Sequence, residues 1–296
     1  MTGTPTAPPW TEPLIDAVED AEILDRPGKA VGKTIRDRLH PGVLHDVLSG
    51  TFLAHPLHPV LTDVVIGSWT SATLLDVLGG DDGGAATRRL LGVGIAASVP
   101  TALAGAVDWA DGEVADDRVR RTGVVHAASN TAALALYSAS LLARRRGADG
   151  RGKALALGGA AAMVVSAFLG GHLSFARGVG VNQTVFDESV PEEWTDAGVG
   201  ADELVAGEPK STVVGDTPVM LLRHGDGMHA LHDRCSHRGC SLSELGNVEG
   251  EIVTCGCHGS QFDLRDGSVQ RGPAATHQPV YDARESNGRI QVRLAS

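Results

Sequence analysis

The sequence has few cysteines, few aromatic side chains and no excess of positive charge. All four cysteines lie between residues 235 and 257, and aromatic residues make up 4% of the chain. The formal net charge is −11, and residues 185–296 carry most of it, with 18 acidic against 9 basic side chains. Because such a surface does not neutralise phosphates, we expect no nucleic-acid partner. We interpret the acidity as a solvated surface, with docking to a basic redox partner as the alternative.

A secretory signal is also missing from the start of the sequence. Residues 1–20 lack a basic segment followed by an apolar core. Residues 1–54 are polar, and the stretch LIDAVEDAEIL within them is typical of a short amphipathic helix. We expect this helix to pack on the rest of the protein or to lie on a membrane surface.

Long apolar runs are abundant in the middle of the chain. Four of them cover about 60–78, 90–109, 123–143 and 154–176. A helix of about 20 residues crosses the hydrocarbon core of a bilayer, and Ala, Gly and Ser allow such helices to pack closely. A soluble bundle of Ala-rich helices is the alternative, but charged loops separate the runs. We therefore predict a four-helix transmembrane domain over residues 55–177.

The pattern changes after a linker at residues 178–200. Short alternating runs follow, among them STVVG, PVMLL and RIQVRL, and turns that combine Gly with Asp or Asn separate them. This pattern is typical of a small antiparallel β domain. We therefore predict a multidomain chain in which a transmembrane α-helical bundle precedes an all-β domain, an antiparallel β-sandwich, at residues 201–296.

Two short segments of the predicted β domain, CSHRGC at 235–240 and CGCHGSQF at 255–262, contain all the cysteines. Each offers one thiolate and one imidazole, from Cys235 with His237 and from Cys255 with His258. A structural zinc site uses the same ligand types, but zinc fingers usually pair Cys with Cys and His with His. A two-iron cluster, with both cysteines on one iron and both histidines on the other, fits this pattern better.

These motifs resemble the Rieske iron–sulfur family over about residues 185–296. The resemblance implies one [2Fe–2S] cluster, with Cys235 and Cys255 on one iron and His237 and His258 on the other. Imidazoles in place of thiolates make such a cluster less negative and raise its reduction potential. The other positions that the resemblance assigns to the surroundings of the cluster are Gly239 and Gly259, where the backbone approaches it, Ser260, and Pro273 in the covering loop.

The resemblance also gives the two remaining cysteines a role. Cys240 and Cys257 match the pair that forms a disulfide in the cytochrome bc complex type of Rieske protein, and two free buried thiols are the alternative. Ser260 matches a serine that donates a hydrogen bond to a cluster sulfide and so stabilises the reduced state. Phe262 stands where high-potential members carry a tyrosine donor. We therefore expect a potential between those of the ferredoxin-like and the quinol-oxidising members.

Polar residues gather at one predicted membrane face, side A, where the first helix begins. They are His55, His58, Asp63, Asp108, His126, Asn130 and His172. Ionisable groups at the membrane edge are costly and suggest a function. Two of the histidines could ligate haem b, bind another metal or hydrogen-bond a quinone; the alternative is interfacial histidines satisfied by the two carboxylates and water. The stretch HPLHPVLTDVVIGSW resembles a bacterial four-helix membrane domain of unknown function, over roughly residues 50–177.

Basic residues near the predicted spans are more numerous on the opposite face, side B. The positive-inside rule then places the β domain on the extracytoplasmic face. The implied disulfide agrees, since oxidising compartments preserve such bonds. The long polar N-terminal segment opposes this orientation, because it would have to cross the membrane without a signal.

We therefore expect a multi-pass cell-membrane protein that transfers single electrons, with a redox protein or a quinone as its partner. A Rieske oxygenase is one rival, but it needs a mononuclear iron in a further catalytic domain, and the sequence offers no such domain. A redox sensor, whose cluster state is read by a partner, is the other rival.

Overall fold

The structure is a computed structural model that describes residues 11–79, 84–187, 189–225 and 227–295. The Thr/Pro-rich start of the predicted N-terminal segment, residues 1–10, lies outside the described residues. The chain divides into two compact units, one of Met1–Arg38 with His58–Val179 and one of Leu39–Leu57 with Gly180–Ser296. The segment Leu39–Leu57 therefore belongs to the same unit as the β domain.

The described residues contain eight α-helices. They are α1 (Glu12–Glu19), α2 (Asp25–Arg38), α3 (Val43–Ser49), α4 (Leu57–Leu78), α5 (Gly84–Gly112), α6 (Asp117–Arg145), α7 (Asp149–Phe175) and α8 (Leu242–Leu245). Three of the described helices, α4, α5 and α7, are long and apolar enough to cross a membrane. Three membrane-capable helices thus stand where four spans were predicted, because polar residues such as His126 and Asn130 lower the mean hydropathy of α6.

Ion pairs hold the polar helix α2 against α5 and α6. Glu113 is 1% exposed, and its carboxylate accepts hydrogen bonds from Arg36 Nη1 at 2.7 Å and from Arg120 Nε at 2.5 Å. A buried carboxylate needs such partners, since an unpaired one would be strongly destabilising. A Cβ at Gly28 would lie 2.7 Å from Cγ of Arg120, so glycine allows this close approach. The sequence pattern did not predict α2, because its stability depends on these tertiary ion pairs.

One aromatic pair lies at the centre of helices α4 to α7. The rings of Trp69 and Tyr137 are stacked with their centroids 4.4 Å apart, and both side chains are almost fully buried. Each ring lies against a glycine, Trp69 against Gly94 and Tyr137 against Gly159. Small residues therefore make room for two large rings, as close packing of membrane helices requires.

The β domain contains two antiparallel sheets. Its strands are β1 (Thr195–Gly200), β2 (Lys210–Val214), β3 (Thr217–His224), β4 (Gly227–His232), β5 (Asn247–Glu249), β6 (Ile252–Thr254), β7 (Gln261–Asp263), β8 (Val269–Arg271), β9 (Val280–Ser286) and β10 (Arg289–Leu294). The six-stranded sheet has the order β1-β10-β9-β4-β3-β2, and the four-stranded sheet the order β5-β6-β7-β8.

The apolar run of β3 is buried on both faces of the larger sheet. Val219 and Leu221 belong to one core, whereas Met220 and Leu222 belong to a second core. Successive side chains of a strand point to opposite faces, so an unbroken apolar run indicates a strand covered on both sides. The second core also includes Cys235, Cys255 and Phe262, and it therefore supports the loops that carry the predicted ligands.

Candidate metal centre

Two loops with the same backbone hydrogen bonds carry the Cys and His residues. The first follows β4 and the second follows β6. The N–H of Cys235 donates to the carbonyl of Cys240 at 2.8 Å, and the N–H of Cys255 donates to the carbonyl of Ser260, also at 2.8 Å. Each cysteine therefore stands at the same position of a tight turn, which directs two like side chains from two separate loops.

A glycine closes each of these turns. Gly239 has a φ of +77° and Gly259 a φ of +80°, a region that residues with a Cβ rarely adopt. The N–H of each glycine donates to the carbonyl of the loop's first cysteine at 2.9 Å. The structure thus explains both glycines by turn geometry, in addition to the close backbone approach expected from the sequence.

The two cysteines and the two histidines come together at the ends of these loops. Cys235 and Cys255 are each 2% exposed and are not in a disulfide. A hydrogen bond from Cys235 lowers the pKa of the Cys255 thiol to about 6, against the opposing effect of burial. The rings of His237 and His258 lie nearly perpendicular, with their centroids 5.0 Å apart. Two sulfurs and two imidazoles are therefore presented at one place.

One imidazole nitrogen at this place is buried and unpaired. Nδ1 of His237 has no hydrogen-bond partner among the described residues. Burial, and then the neighbouring His258, lowers the pKa of His237 well below its ordinary value, so this imidazole is neutral. A buried polar atom without a partner costs about 1–3 kcal/mol, whereas a neutral imidazole nitrogen is a good metal ligand. The donor set therefore fits a [2Fe–2S] cluster with mixed Cys and His ligation.

A disulfide joins the two loops. Cys240 and Cys257 are bonded, as the sequence comparison with the cytochrome bc complex type implied, and this prediction is confirmed. The sulfur of Cys255 lies within 4.8 Å of both disulfide sulfurs. Since the disulfide sulfurs are bonded to each other, these three sulfurs do not form a second metal site.

Ser260 lies under the predicted covering loop. Its side chain is fully buried, and its Oγ accepts a hydrogen bond from the N–H of Ala274 at 3.0 Å. The hydroxyl proton is therefore left to donate elsewhere, as the predicted bond to a cluster sulfide requires. Pro273 is buried in the same loop, and Phe262, which is fully buried in β7, offers no hydrogen bond.

A segment far away in the sequence holds the covering loop in place. Asp46 of α3 accepts a hydrogen bond from the N–H of Gly272 at 2.9 Å, and Thr51 Oγ1 donates to the carbonyl of Ala274 at 3.5 Å. His45 is 3% exposed and interacts electrostatically with His237. Sequence reasoning missed these residues, because no local motif connects residues 39–57 with the metal centre.

Gln278 also helps to hold the metal centre, and the sequence motifs did not reveal this role. Its Oε1 accepts from the N–H of Ser236 at 3.0 Å, and its Nε2 donates to the carbonyls of His232 and Arg234, both at 2.6 Å. The side chain is 1% exposed. One glutamine therefore pairs three backbone groups around the first loop and holds that loop rigidly.

In the helical unit, two of the predicted histidines have the same kind of partner. Nδ1 of His58 donates to the carbonyl of Thr101 at 2.9 Å, and Nδ1 of His126 donates to the carbonyl of Ser166 at 2.9 Å. Asn130 Nδ2 lies 3.0 Å from Nε2 of His126. At Nδ1 the partner of each imidazole is thus a backbone carbonyl, whereas the alternative interpretation expected Asp63, Asp108 and water as partners of the histidines.

The other residues that the sequence predicted for the membrane site do not share the arrangement of His58 and His126. Nε2 of His172 lies 2.8 Å from Oε1 of Glu19, and Glu19 also forms an ion pair with Arg177, so His172 is a hydrogen-bond partner of this carboxylate. Asp63 is exposed and Asp108 is half-buried. His55 lies in the compact unit of the β domain, where it is exposed and its Nδ1 donates to the carbonyl of Pro56 at 2.9 Å.

Two families match different parts of the chain. The family described as "Rieske [2Fe-2S] domain" matches residues 195–282. The family described as "Predicted membrane protein (DUF2231)" matches residues 54–183. Together they cover strands β1 to β8, the start of β9 and helices α4 to α7.

Individual relatives match the β domain. The anthranilate 1,2-dioxygenase ferredoxin subunit of Burkholderia cepacia is 36% identical over 107 residues, which are 36% of this chain and 97% of that protein. The cytochrome b6-f complex iron-sulfur subunit of Chlorobaculum tepidum is 26% identical over 95 residues, 32% of this chain and 51% of that protein. The solved ferredoxin of carbazole 1,9a-dioxygenase from Nocardioides aromaticivorans IC177 covers 34% of this chain and 98% of its own, with 27% identity and a TM-score of 0.32.

The paired loops, the inter-loop disulfide and the nearly complete match to a ferredoxin subunit define an iron–sulfur protein. This chain belongs to the Rieske [2Fe–2S] family. Its Rieske domain implies a [2Fe–2S] cluster, and the helical part similar to a predicted membrane protein domain supplies three membrane-capable helices.

Proposed function

We propose that this protein is a membrane-anchored carrier of single electrons, with Cys235, Cys255, His237 and His258 as the ligands of its cluster. The observation that carries the proposal is the meeting of these four side chains at the ends of two like loops, where Nδ1 of His237 is buried and has no hydrogen-bond partner among the residues that the structure describes. When bound, a [2Fe–2S] cluster accepts one electron and later returns it. The chain holds the ligands in fixed positions, so little rearrangement accompanies either step.

The partners of this carrier are a redox protein and a redox centre of the membrane, either a quinol or a haem. Relatives of the Rieske domain include a ferredoxin subunit of a dioxygenase and an iron-sulfur subunit of a cytochrome complex, which supports a protein partner. The helical part and its three membrane-capable helices support multi-pass anchoring. The disulfide favours an extracytoplasmic Rieske domain, since oxidising compartments preserve such bonds.

The hydrogen bonds around the cluster set its potential between those of the two groups of relatives. Ser260 can donate to a cluster sulfide, which stabilises the reduced and more negative state. Phe262 cannot donate, so one bond of the high-potential members is missing. A carrier with such a potential can take electrons from a quinol and still reduce a protein acceptor.

Low-temperature EPR of the purified full chain, reduced with dithionite, tests the proposal. We expect the rhombic signal with low average g of a histidine-ligated two-iron cluster, together with two irons and two sulfides per chain by chemical analysis. Cys255→Ala should lose both, whereas His277→Ala, a change at an exposed histidine, should keep both. A silent spectrum with zinc bound would overturn the proposal in favour of a structural site.

A further inference from the structure

The helical unit contains an internal repeat, in which residues of α4 and α5 recur at the same spacing in α6 and α7. His58, Trp69 and Asp76 of α4 have the same spacing as His126, Tyr137 and Arg144 of α6. In the structure, Trp69 stacks on Tyr137, and Arg144 Nη2 donates to Asp76 Oδ2 at 2.5 Å. Two of the three equivalent pairs are therefore in direct contact between α4 and α6. The third pair, His58 and His126, is close enough for an electrostatic interaction.

The second helix of each repeat supplies a backbone carbonyl that accepts from the histidine and a glycine next to the histidine ring. Thr101 and Gly105 of α5 have the spacing of Ser166 and Gly170 of α7. Thr101 and Ser166 offer the carbonyls that accept from Nδ1 of the two histidines. A Cβ at Gly105 would lie 2.6 Å from Cε1 of His58, and a Cβ at Gly170 would lie 3.0 Å from Cε1 of His126. Each histidine ring therefore donates to a backbone carbonyl of the neighbouring helix and packs against a glycine of that helix.

The carbonyl partners decide the tautomer of both rings. A carbonyl can only accept, so Nδ1 of His58 and of His126 carries the proton. In the neutral imidazole, Nε2 then presents a lone pair. Such an Nδ1–H···O=C bond is the arrangement that orients a metal-ligating histidine. A ring with this tautomer cannot donate from Nε2 to a quinone carbonyl, whereas the lone pair of Nε2 can bind a metal.

Two imidazoles alone do not complete the shell of a bare metal ion, which takes about four or more ligands. In the described part of the helical unit, no group of three His, Cys, Asp or Glu side chains brings its ligand atoms together. A porphyrin supplies four nitrogens of its own, and two axial imidazoles then complete six-coordinate iron.

We propose that His58 and His126 are the two axial ligands of a haem, with Thr101 and Ser166 as the positioning residues that fix their tautomers. This haem would be the membrane redox centre of the electron carrier, so the inference rests on the function proposed above. Asn130 donates to Nε2 of His126 at 3.0 Å and must turn away when the iron binds. Thr62, which occupies the matching position of α4, donates to the backbone carbonyl of His58 instead, so its hydroxyl does not compete for Nε2 of that ring.

The test uses the full chain in detergent, purified after expression with a haem precursor and then titrated with haemin. We expect one haem per chain with the optical and EPR spectra of low-spin iron. His58→Ala and His126→Ala should each lose haem about tenfold or more, or convert the remainder to high-spin iron. Added imidazole should restore the low-spin spectrum of His58→Gly, which separates a lost ligand from a misfolded protein. His277→Ala, at an exposed histidine of the β domain, is the matched control and should keep the wild-type spectrum.

Asn130→Ala gives a second readout, because it removes the group that competes for Nε2 of His126. We expect this variant to bind haem at least as tightly as the wild type. Low-spin spectra that persist in both histidine variants would overturn the inference. An intact cluster EPR signal without any haem uptake would overturn it while leaving the electron carrier standing. Absence of the cluster signal itself would refute the proposed function.

Discussion

The carboxylate of Asp46 accepts a hydrogen bond from the backbone N–H of Gly272 at 2.9 Å, although one residue precedes the membrane-capable helices and the other follows them. Gly272 begins the loop that covers Ser260, and the N–H of Ala274 in that loop donates to Ser260 Oγ. A short helix from the start of the chain thus orders the loop over the metal centre. The Rieske domain of this chain is completed by residues outside the matched family region.

Asp46→Ala should lower the free energy of unfolding of the β unit by about 1–3 kcal/mol, because the N–H of Gly272 loses a charged acceptor. Asp46→Asn retains an oxygen acceptor and should lose less. Urea unfolding, followed by the visible absorption of the cluster, measures both changes. Asp37→Ala, at an exposed aspartate that pairs with Lys33, is the control, with an expected change within about 0.5 kcal/mol. Equal stability of all three variants would contradict the role of Asp46.

Phe262→Tyr should raise the reduction potential of the cluster. A new hydrogen bond to a charged acceptor is worth about 1.5–3 kcal/mol, which for one electron is roughly 60–130 mV. Ser260→Ala should lower the potential by a similar amount, since it removes the donor already present. An EPR-monitored redox titration measures both. Phe262→Leu adds no donor and should leave the potential near that of the wild type; a rise in this control as large as that of the tyrosine variant would refute the hydrogen-bond argument.

Loss of the disulfide between the loops should destabilise the β unit. The bond spans 17 residues of sequence, and closing a loop of this length contributes about 3 kcal/mol. Cys240→Ser and Cys257→Ser should each show this loss in thermal unfolding. The double variant should lose no more than either single variant, because both changes remove one and the same bond. Additive losses would mean that the thiols stabilise the fold in some other way.

Acidification should weaken an ion pair directly after the second loop. Arg265 Nε donates to Asp263 Oδ1 at 2.9 Å, and this arginine lowers the pKa of Asp263 from 3.8 to about 2. A carboxyl with a lowered folded pKa stabilises the fold above about pH 4 and loses that contribution as the pH falls towards 2. Because the arginine is exposed, we expect about 1 kcal/mol at neutral pH after solvent screening.

Arg265→Gln should therefore be less stable than the wild type by this amount at pH 7, and the difference should shrink as the pH falls below 4. Denaturant unfolding of both proteins from pH 7 to pH 3 measures this difference in stability. Protonation of the cluster ligands affects both proteins alike and therefore cancels in the comparison. Arg271→Gln, a change at another exposed arginine, should show no such trend. A difference that is the same at every pH would rule out the ion pair as its cause.

Ligand identity and spacing could be predicted from the sequence because each depends on neighbours in the chain. Cys235 and His237 stand in one turn, Cys255 and His258 in another, and chemistry restricts what such loops bind. The disulfide followed from the resemblance of these same loops to a family. The long apolar runs were equally readable, since membrane crossing depends on local hydropathy and length, although polar residues within α6 left three membrane-capable helices instead of four.

The internal repeat of the helical unit was present in the sequence but became clear only with the contacts. Identical spacing of His58 and His126 carries little information until Thr101 and Ser166 are seen to accept from both rings. The helix α2 is a similar case, since its polar residues fold on Glu113 rather than by their own pattern.

The sequence by itself determined the class of this protein, a Rieske cluster domain joined to apolar helices, because motifs and hydropathy are properties of short stretches. Only the tertiary structure decided which residues complete the sites. Asp46 reaches Gly272, Gln278 reaches Ser236, and His58 reaches Thr101. These partners are far apart in the chain, and a hydrogen bond between them exists only after folding has brought their atoms within about 3 Å.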